Sequence, residues 1–259
     1  MVITSAELTA FVGSLLWPLF RVGALMLSAP VFGARTMPRR VRAGLSVLVT
    51  LAMLPVLPTP PAVDVFSATS LLIIVQQILI GVMMGFILQI VMSAVITGGQ
   101  LIAMQMGLGF AAMVDPQNGA QTPVLSQFYV VMVVLIFLTL NGHLVMFEVL
   151  RDSFISMPIG KAVMPLDGLW MLIHWSGQIF AGAVGMAIPA IASLLIVNFA
   201  FGIMTRAAPQ MNIFAVGFPI TLMLGFGVIM ATLPSVIPHS TYMFNGAYHL
   251  IRDIMAGGH

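Results

Sequence analysis

Residues 67–100 read SATSLLIIVQQILIGVMMGFILQIVMSAVITGGQ, and no side chain among them is charged. A membrane helix needs about 20 apolar residues to cross about 30 Å of hydrocarbon. Read as a single helix, this stretch is about 50 Å long at about 1.5 Å per residue. Such a helix must tilt steeply or run beyond the lipid inside a protein assembly. The same stretch carries a pattern. Gln77, Gly81, Gly85, Gln89, Ser93 and Thr97 recur every four residues, and Gln100 follows three later. Small and polar residues let membrane helices approach closely. The helix repeat is about 3.6 residues, so a period of four drifts around the surface, and a partner following it wraps right-handedly. Spacing alone leaves two readings open: packing inside one bundle, and a face that joins another subunit.

The rest of the chain has the same character. It has 259 residues, of which 60% are hydrophobic and 6% charged; ordinary soluble domains have about 45–50% and about 25%. Mean hydropathy is +1.12. Nine Lys and Arg with seven Asp and Glu cannot clothe a soluble surface of this size. A soluble enzyme, a nucleic-acid-binding module and a disordered chain are excluded, and an integral membrane protein is expected. Zero cysteines remove disulfides and thiolate metal sites. A net charge of +2 is too small to imply an acidic partner. The first charge is Glu7, and no basic residue precedes Arg21. That start does not read as a cleavable signal, so the first apolar segment is expected to stay in the mature protein.

The charges also divide the chain. Pro18 and Pro30 interrupt the segment between Glu7 and Arg35. Arg35, Arg39, Arg40 and Arg42 follow, then an apolar run at 43–57 that ends before Pro58, Pro60 and Pro61. Residues 65–114, 116–147, 168–205 and 207–251 are charge-free. The run at 43–57 is too short for a span and several others are too long. Pro189 and Pro219 lie inside apolar runs, where proline removes a helical hydrogen bond and is expected to kink the helix. The organisation expected is four to six long, bent helices in hairpins. The arginine cluster should stay cytoplasmic by the positive-inside rule, which puts the N-terminus outside.

One stretch breaks the pattern: MQMGLGFAAMVDPQNG, Met104 to Gly119. Gly107, Gly109, Asp115-Pro116 and Asn118-Gly119 are turn and breaker signals. Thr122-Pro123 then reads as an N-cap with proline at the first helical position. A loop of about fifteen residues between two long helices is expected, yet its first half is nearly all apolar. Irregular backbone at membrane depth survives only when buried in protein or lining an aqueous path. Met104, Met106 and Met113 can fill irregular gaps, and an apolar constriction excludes water without binding a ligand. An ordinary buried connection, a deformable seal and a re-entrant loop of a small-molecule transporter all fit.

Catalysis finds little support. Glu7, Asp64, Asp115, Glu148, Asp152, Asp167 and Asp253 show no paired spacing on an apolar helix. No zinc-protease, nucleophile-elbow or phosphate-loop motif is present. The five histidines are scattered, and no metal site is expected. Asn141, His143 and Asn198 need hydrogen-bond partners in lipid, and Asn141-Gly142 reads as a helix end. Arg206 and Arg21 each read as a surface anchor or a buried contact.

The blocks WPLFRVGALMLSAPVFGARTMPRRVRAGL (17–45), QQILIGVMMGF (76–86), QMGLGFAAMVDPQ (105–117), FLTLNGHL (137–144) and RAAPQMNIFAVGFPITLMLG (206–225) resemble the FliR family of flagellar biosynthesis proteins. The likeness runs from about residue 10 to 240. The counterpart in virulence injectisomes is the SctT family. The resemblance implies an all-α membrane protein of long kinked helical hairpins, forming part of a right-handed helical pore assembly. It implies a non-enzymatic subunit of the type III protein export gate, without cofactor, at the centre of the flagellar basal body in the bacterial inner membrane. The partners implied are FliP and FliQ in the core complex, FlhB on the cytoplasmic side, unfolded flagellar export substrates and membrane lipid; nucleic acid is not one of them. Residues 1–165 would be the FliP-like part and 166–259 the FliQ-like part. The loop carrying Met104, Met106, Gly107, Leu108, Gly109, Phe110, Ala111, Ala112, Met113, Asp115 and Pro116 would plug the resting pore. Gln77, Gly81, Gly85, Gln89, Ser93, Thr97, Gln100 and Arg206 would pack between subunits. The alternatives are a stand-alone secondary transporter or channel, which needs a mid-membrane substrate or proton site, and an intramembrane enzyme, which needs a catalytic pair.

Overall fold

The computed structural model describes residues 5–34, 36–59, 61, 63, 67–108, 124–161, 166–207 and 213–257. These residues form α1 (Ser5–Ser28), α2 (Arg39–Met53), a 3₁₀ turn at Leu54–Val56, α3 (Ala68–Gln105), α4 (Val124–Thr139), α5 (Gly142–Ser156), α6 (Leu166–Trp175), α7 (Gln178–Ala207) and α8 (Ile213–Met255). Among the described residues there is no strand. The chain is an all-α membrane protein. Three helical runs are long and apolar enough to cross a bilayer: Ala68–Gln105, Leu166–Ala207 and Gly217–Met255. Helices α4 and α5 together make a fourth, bent by 66°.

The bend falls where the sequence places a helix end. Asn141 adopts left-handed φ 57° and ψ 25°, a conformation asparagine tolerates better than other side-chain-bearing residues. Its carbonyl restarts the helix by accepting from Leu144 N at 2.9 Å and Val145 N at 3.2 Å. The prolines behave less simply. Pro189 stays inside the continuous α7, and Pro219, Pro234 and Pro238 stay inside α8. A membrane helix can absorb a lost hydrogen bond where neighbouring groups satisfy the freed carbonyl.

Two compact units divide the chain by contact. The first holds residues 1–90, 140–176 and 244–259; the second holds 91–139 and 177–243. The 165/166 boundary implied by the resemblance is a boundary of sequence likeness, which contacts within one chain do not measure.

In the first unit, α1 lies against the N-terminal half of α3. Trp17, Leu25, Met26, Ile80, Met84 and Ile87 are buried there. Gly81 and Gly85 set the distance of approach. A Cβ at Gly81 would strike the carbonyl oxygen of Arg21 and sit 2.8 Å from Ala24 Cβ. A Cβ at Gly85 would strike Ser28 Oγ and sit 2.7 Å from Ala29 N. Helix α2 turns its polar side inward. Ser46 and Thr50 are its buried residues, whereas Val41, Leu48 and Leu51 are exposed. The two hydroxyls donate to backbone oxygens one turn back, Ser46 to Arg42 at 2.9 Å and Thr50 to Ser46 at 2.7 Å. Their burial therefore leaves no free donor, and the apolar outer face suits lipid.

In the second unit, Tyr129, Val133, Ala183, Ala187, Leu194, Ile229 and Val236 are buried. Gly99 of α3 sits where a Cβ would lie 2.7 Å from Ser126 Cα. Ser126 Oγ donates across that approach to Ile96 O at 3.1 Å.

Leucine at Gly81 or Gly85 must push α1 off α3. Overpacking of this kind costs about 1–3 kcal/mol. Gly81→Leu and Gly85→Leu should lower the melting temperature of the detergent-solubilised chain. Gly44→Leu should not, because a Cβ at Gly44 meets nothing within 4 Å. Equal melting temperatures for all three would show that the α1–α3 contact does not need glycine.

The base of the apolar loop and a buried arginine

Helix α3 ends in a Schellman cap. Gly107 takes φ 84°, Gly107 N donates to Met104 O at 3.0 Å, and Leu108 N donates to Ala103 O at 3.0 Å. These two bonds satisfy carbonyls the helix end would leave open, and the left-handed position favours glycine. The breaker signal at Gly107 is therefore the helix stop itself. Met106 N adds a bond to Ile102 O at 3.0 Å.

The loop leaves from an anchored base. Met106 is fully buried. A Cβ at Gly225 of α8 would meet Met106 Cε at 2.6 Å and Cγ at 2.9 Å. The missing side chain at Gly225 thus makes room for the thioether, which holds the start of the loop inside the second unit rather than free within the loop. Met104 is exposed and Leu108 half-buried. Gly109, Phe110, Ala111, Ala112, Met113, Asp115 and Pro116 lie outside the described residues, as does the expected Thr122-Pro123 cap. Helix α4 is described from Val124 onward.

The four-residue pattern on α3 divides by environment. Gln77, Gly81 and Gly85 are buried within the chain, whereas Gln89, Ser93, Thr97 and Gln100 are half-buried. Thr97 Oγ1 donates to Ser93 O at 2.9 Å. Arg206 is exposed in the last turn of α7, where a cation complements the helix C-terminus.

Gln77 leads to a group whose surroundings the sequence did not reveal. Arg21 is 0% exposed. Its Nε donates to Gln77 Oε1 at 2.8 Å. One terminal nitrogen donates to Ser153 O at 2.7 Å and Ser153 Oγ at 3.0 Å. The other donates to Met157 O at 2.8 Å. The guanidinium carbon stands 4.2 Å from the centre of the Phe154 ring. Every acceptor is neutral. The ion pairs among the described residues lie elsewhere, on exposed side chains: Arg151–Asp152 at 2.7 Å and Arg252–Glu148 at 3.6 Å, and such pairs contribute little. Desolvating a cation is costly. Here charge-assisted hydrogen bonds to fixed oxygens, and the face of an aromatic ring, offset that cost. The fork joins α1, α3 and the C-terminal end of α5. The signals in sequence were a lone arginine in an apolar segment and a glutamine on the α3 pattern. Two of the four acceptors are backbone oxygens, which carry no sequence signature.

Nothing in this geometry resembles a catalytic centre. Among the described residues no three His, Asp or Glu side chains are grouped to hold a metal.

Residues 12–247 match the family model described as bacterial export proteins, family 1. The chain is 39% identical to the flagellar biosynthetic protein FliR of Escherichia coli (strain K12), over 98% of this chain and 97% of that protein. It is 39% identical to the protein of the same name in Pectobacterium carotovorum subsp. carotovorum, over 97% and 96%. The protein of that name in Bacillus subtilis (strain 168) is 28% identical over 91% and 92%.

Lysine cannot reproduce the arginine fork, because one ammonium cannot reach acceptors spread over α3 and the C-terminal end of α5. Arg21→Lys should cost on the order of 1–3 kcal/mol and lower the melting temperature of the solubilised chain. Gln77→Leu removes one acceptor of four and should cost less. A melting temperature unchanged in Arg21→Lys would show that a buried charge alone suffices.

Proposed function

The chain belongs to the bacterial export proteins, family 1, and from that premise we propose that it is an inner-membrane subunit of the flagellar protein export apparatus. The observation that carries this reading is 39% identity over nearly the whole of both chains to a protein named for flagellar biosynthesis. The finer reading is that the chain joins FliP and FliQ in a right-handed helical pore at the centre of the basal body, with FlhB on the cytoplasmic side. Unfolded flagellar proteins pass through that pore. Residues 1–165 supply the FliP-like part and 166–259 the FliQ-like part. No catalytic step falls to this chain, and the energy for translocation comes from outside it.

Two features fit a subunit that packs against other chains in the membrane. Phe180, Ile188, Ile196 and Phe199 of α7, and Met223, Phe226 and Met230 of α8, are exposed. Apolar faces this extensive require lipid or other subunits over them. The half-buried residues Gln89, Ser93, Thr97 and Gln100, with Arg206, are the part of the subunit-packing set most open to a neighbouring chain. Gln77, Gly81 and Gly85 reach a neighbour only through the α1 they hold.

In this reading the loop is the seal. Its start is fixed by Met106 under Gly225 and by the cap at Gly107. Leu108, Gly109, Phe110, Ala111, Ala112 and Met113 follow as an uncharged apolar segment; the first charge after it is Asp115, just before Pro116. Dispersion contacts exclude water at rest and yield one side chain at a time to a passing polypeptide. A seal of buried ion pairs would cost far more to open.

Deleting residues 109–112 leaves the helix cap and the Met106 anchor in place. The variant should co-purify with FliP and FliQ at the wild-type yield while cells carrying it become permeable to ions and small solutes. An assembled variant as tight as wild type would rule out the loop as the seal. A homogeneous, conducting particle of this chain alone would overturn the subunit reading.

A further inference from the structure

An open groove of about 390 Å³ runs between α1 and α2, lined by Leu19, Gly23 and Leu27 on one side and Arg39, Ala43 and Val47 on the other. The volume lies in the range of small-molecule sites, which combine mostly apolar walls with a few polar groups. A Cβ at Gly23 would meet nothing within 4 Å, so the missing side chain leaves room within the groove. The polar groups are unequally occupied. Arg42 is committed to the chain: its Nε donates to Phe32 O at 2.9 Å and a terminal nitrogen to Ala34 O at 2.8 Å. Ser46 donates to Arg42 O. Arg39 is exposed and makes no hydrogen bond or ion pair with the described residues.

We infer that this groove is a binding site for an anionic phospholipid of the bilayer, with an acyl chain between α1 and α2 and the phosphate on Arg39. Charge complementarity favours this occupant. Arg39 and Arg42 line the groove, and neither forms an ion pair with the described residues, so the groove offers positive charge without a counter-ion among them. The outer face of α2 agrees: Val41, Val47, Leu48 and Leu51 are exposed, which places apolar side chains where lipid tails lie. A soluble anion would use Arg39 and leave the apolar walls empty. A purely apolar ligand would leave the guanidinium unpaired. A phospholipid satisfies both. The site rests on the membrane placement of the chain and not on its role in export.

The full-length chain in nanodiscs, probed with spin-labelled phosphatidylglycerol and spin-labelled phosphatidylcholine, tests the site. The wild type should prefer phosphatidylglycerol about fivefold, the factor that about 1 kcal/mol per membrane-surface arginine corresponds to. Arg39→Gln should remove most of that preference, and Arg40→Gln, which lies off the groove, should keep most of it. Gly23→Leu should fill the groove and abolish the immobilised lipid signal without unfolding the chain, since the space for it is open. No preference in the wild type, equal losses in the two arginine variants, or an unchanged signal in Gly23→Leu would each overturn the proposal. A photoreactive residue at Val47 should yield lipid adducts in native membranes. Protein adducts alone would place a neighbouring chain in the groove and overturn it as well.

Discussion

A guanidinium removed from water must give its N–H groups to fixed acceptors or shed the fold around it, and Arg21 meets that demand from three directions at once. Gln77 of α3, Ser153 of α5 and Met157 just beyond α5 supply the oxygens, and Phe154 supplies a ring face. The consequence is geometric. Helix α1 must enter at one depth and one rotation for the fork to reach all four acceptors. Gly81 and Gly85 then let the two backbones close to that distance. The packing of Trp17, Met26 and Met84 follows from a register the arginine has already set, because dispersion contacts alone would tolerate a slip that directional hydrogen bonds do not.

The same long helix that receives Arg21 near its start carries the loop at its end. Its C-terminus is closed by Gly107, and the residue before the glycine is pinned under Gly225. A stiff helix, a capped end and a buried anchor form a fixed root from which an apolar segment departs. The proposed seal needs such a root, since side chains that yield easily to a passing polypeptide must return to one place afterwards. Flexible methionine and compact glycine suit the moving part, and the backbone hydrogen bonds of the cap suit the part that stays still.

Much of the fold could be read from residue chemistry. The charge-free run at 65–114 implied a helix too long for one simple span, and α3 covers Ala68–Gln105. Gly107 and Asn141-Gly142 stood out as breaks, and each is a break. The surroundings of Arg21 could not be read, because backbone oxygens at Ser153 and Met157 look like any others in a sequence. The face of α3 that meets α1 was equally hidden: a small-residue pattern permits close approach and does not say to what. Pro189 and Pro219 marked kink sites by local rules, and both lie inside continuous helices, because surroundings decide whether a lost hydrogen bond ends a helix. The proposed role of the loop beyond Leu108 and the proposed export partners rest on family resemblance, since an apolar segment carries no chemical signature of its task.

In the proposed export role, the exported polypeptide passes the loop rooted at Met106. A photoreactive amino acid at Leu108, in cells where an export substrate is stalled by a folded domain fused to its end, tests it most directly. A covalent adduct should form between residue 108 and the stalled substrate and be lost when the stall is released. A photoreactive residue at Leu72, exposed on α3, should give none. Assembled complexes that yield substrate adducts at 72 and none at 108 would contradict it.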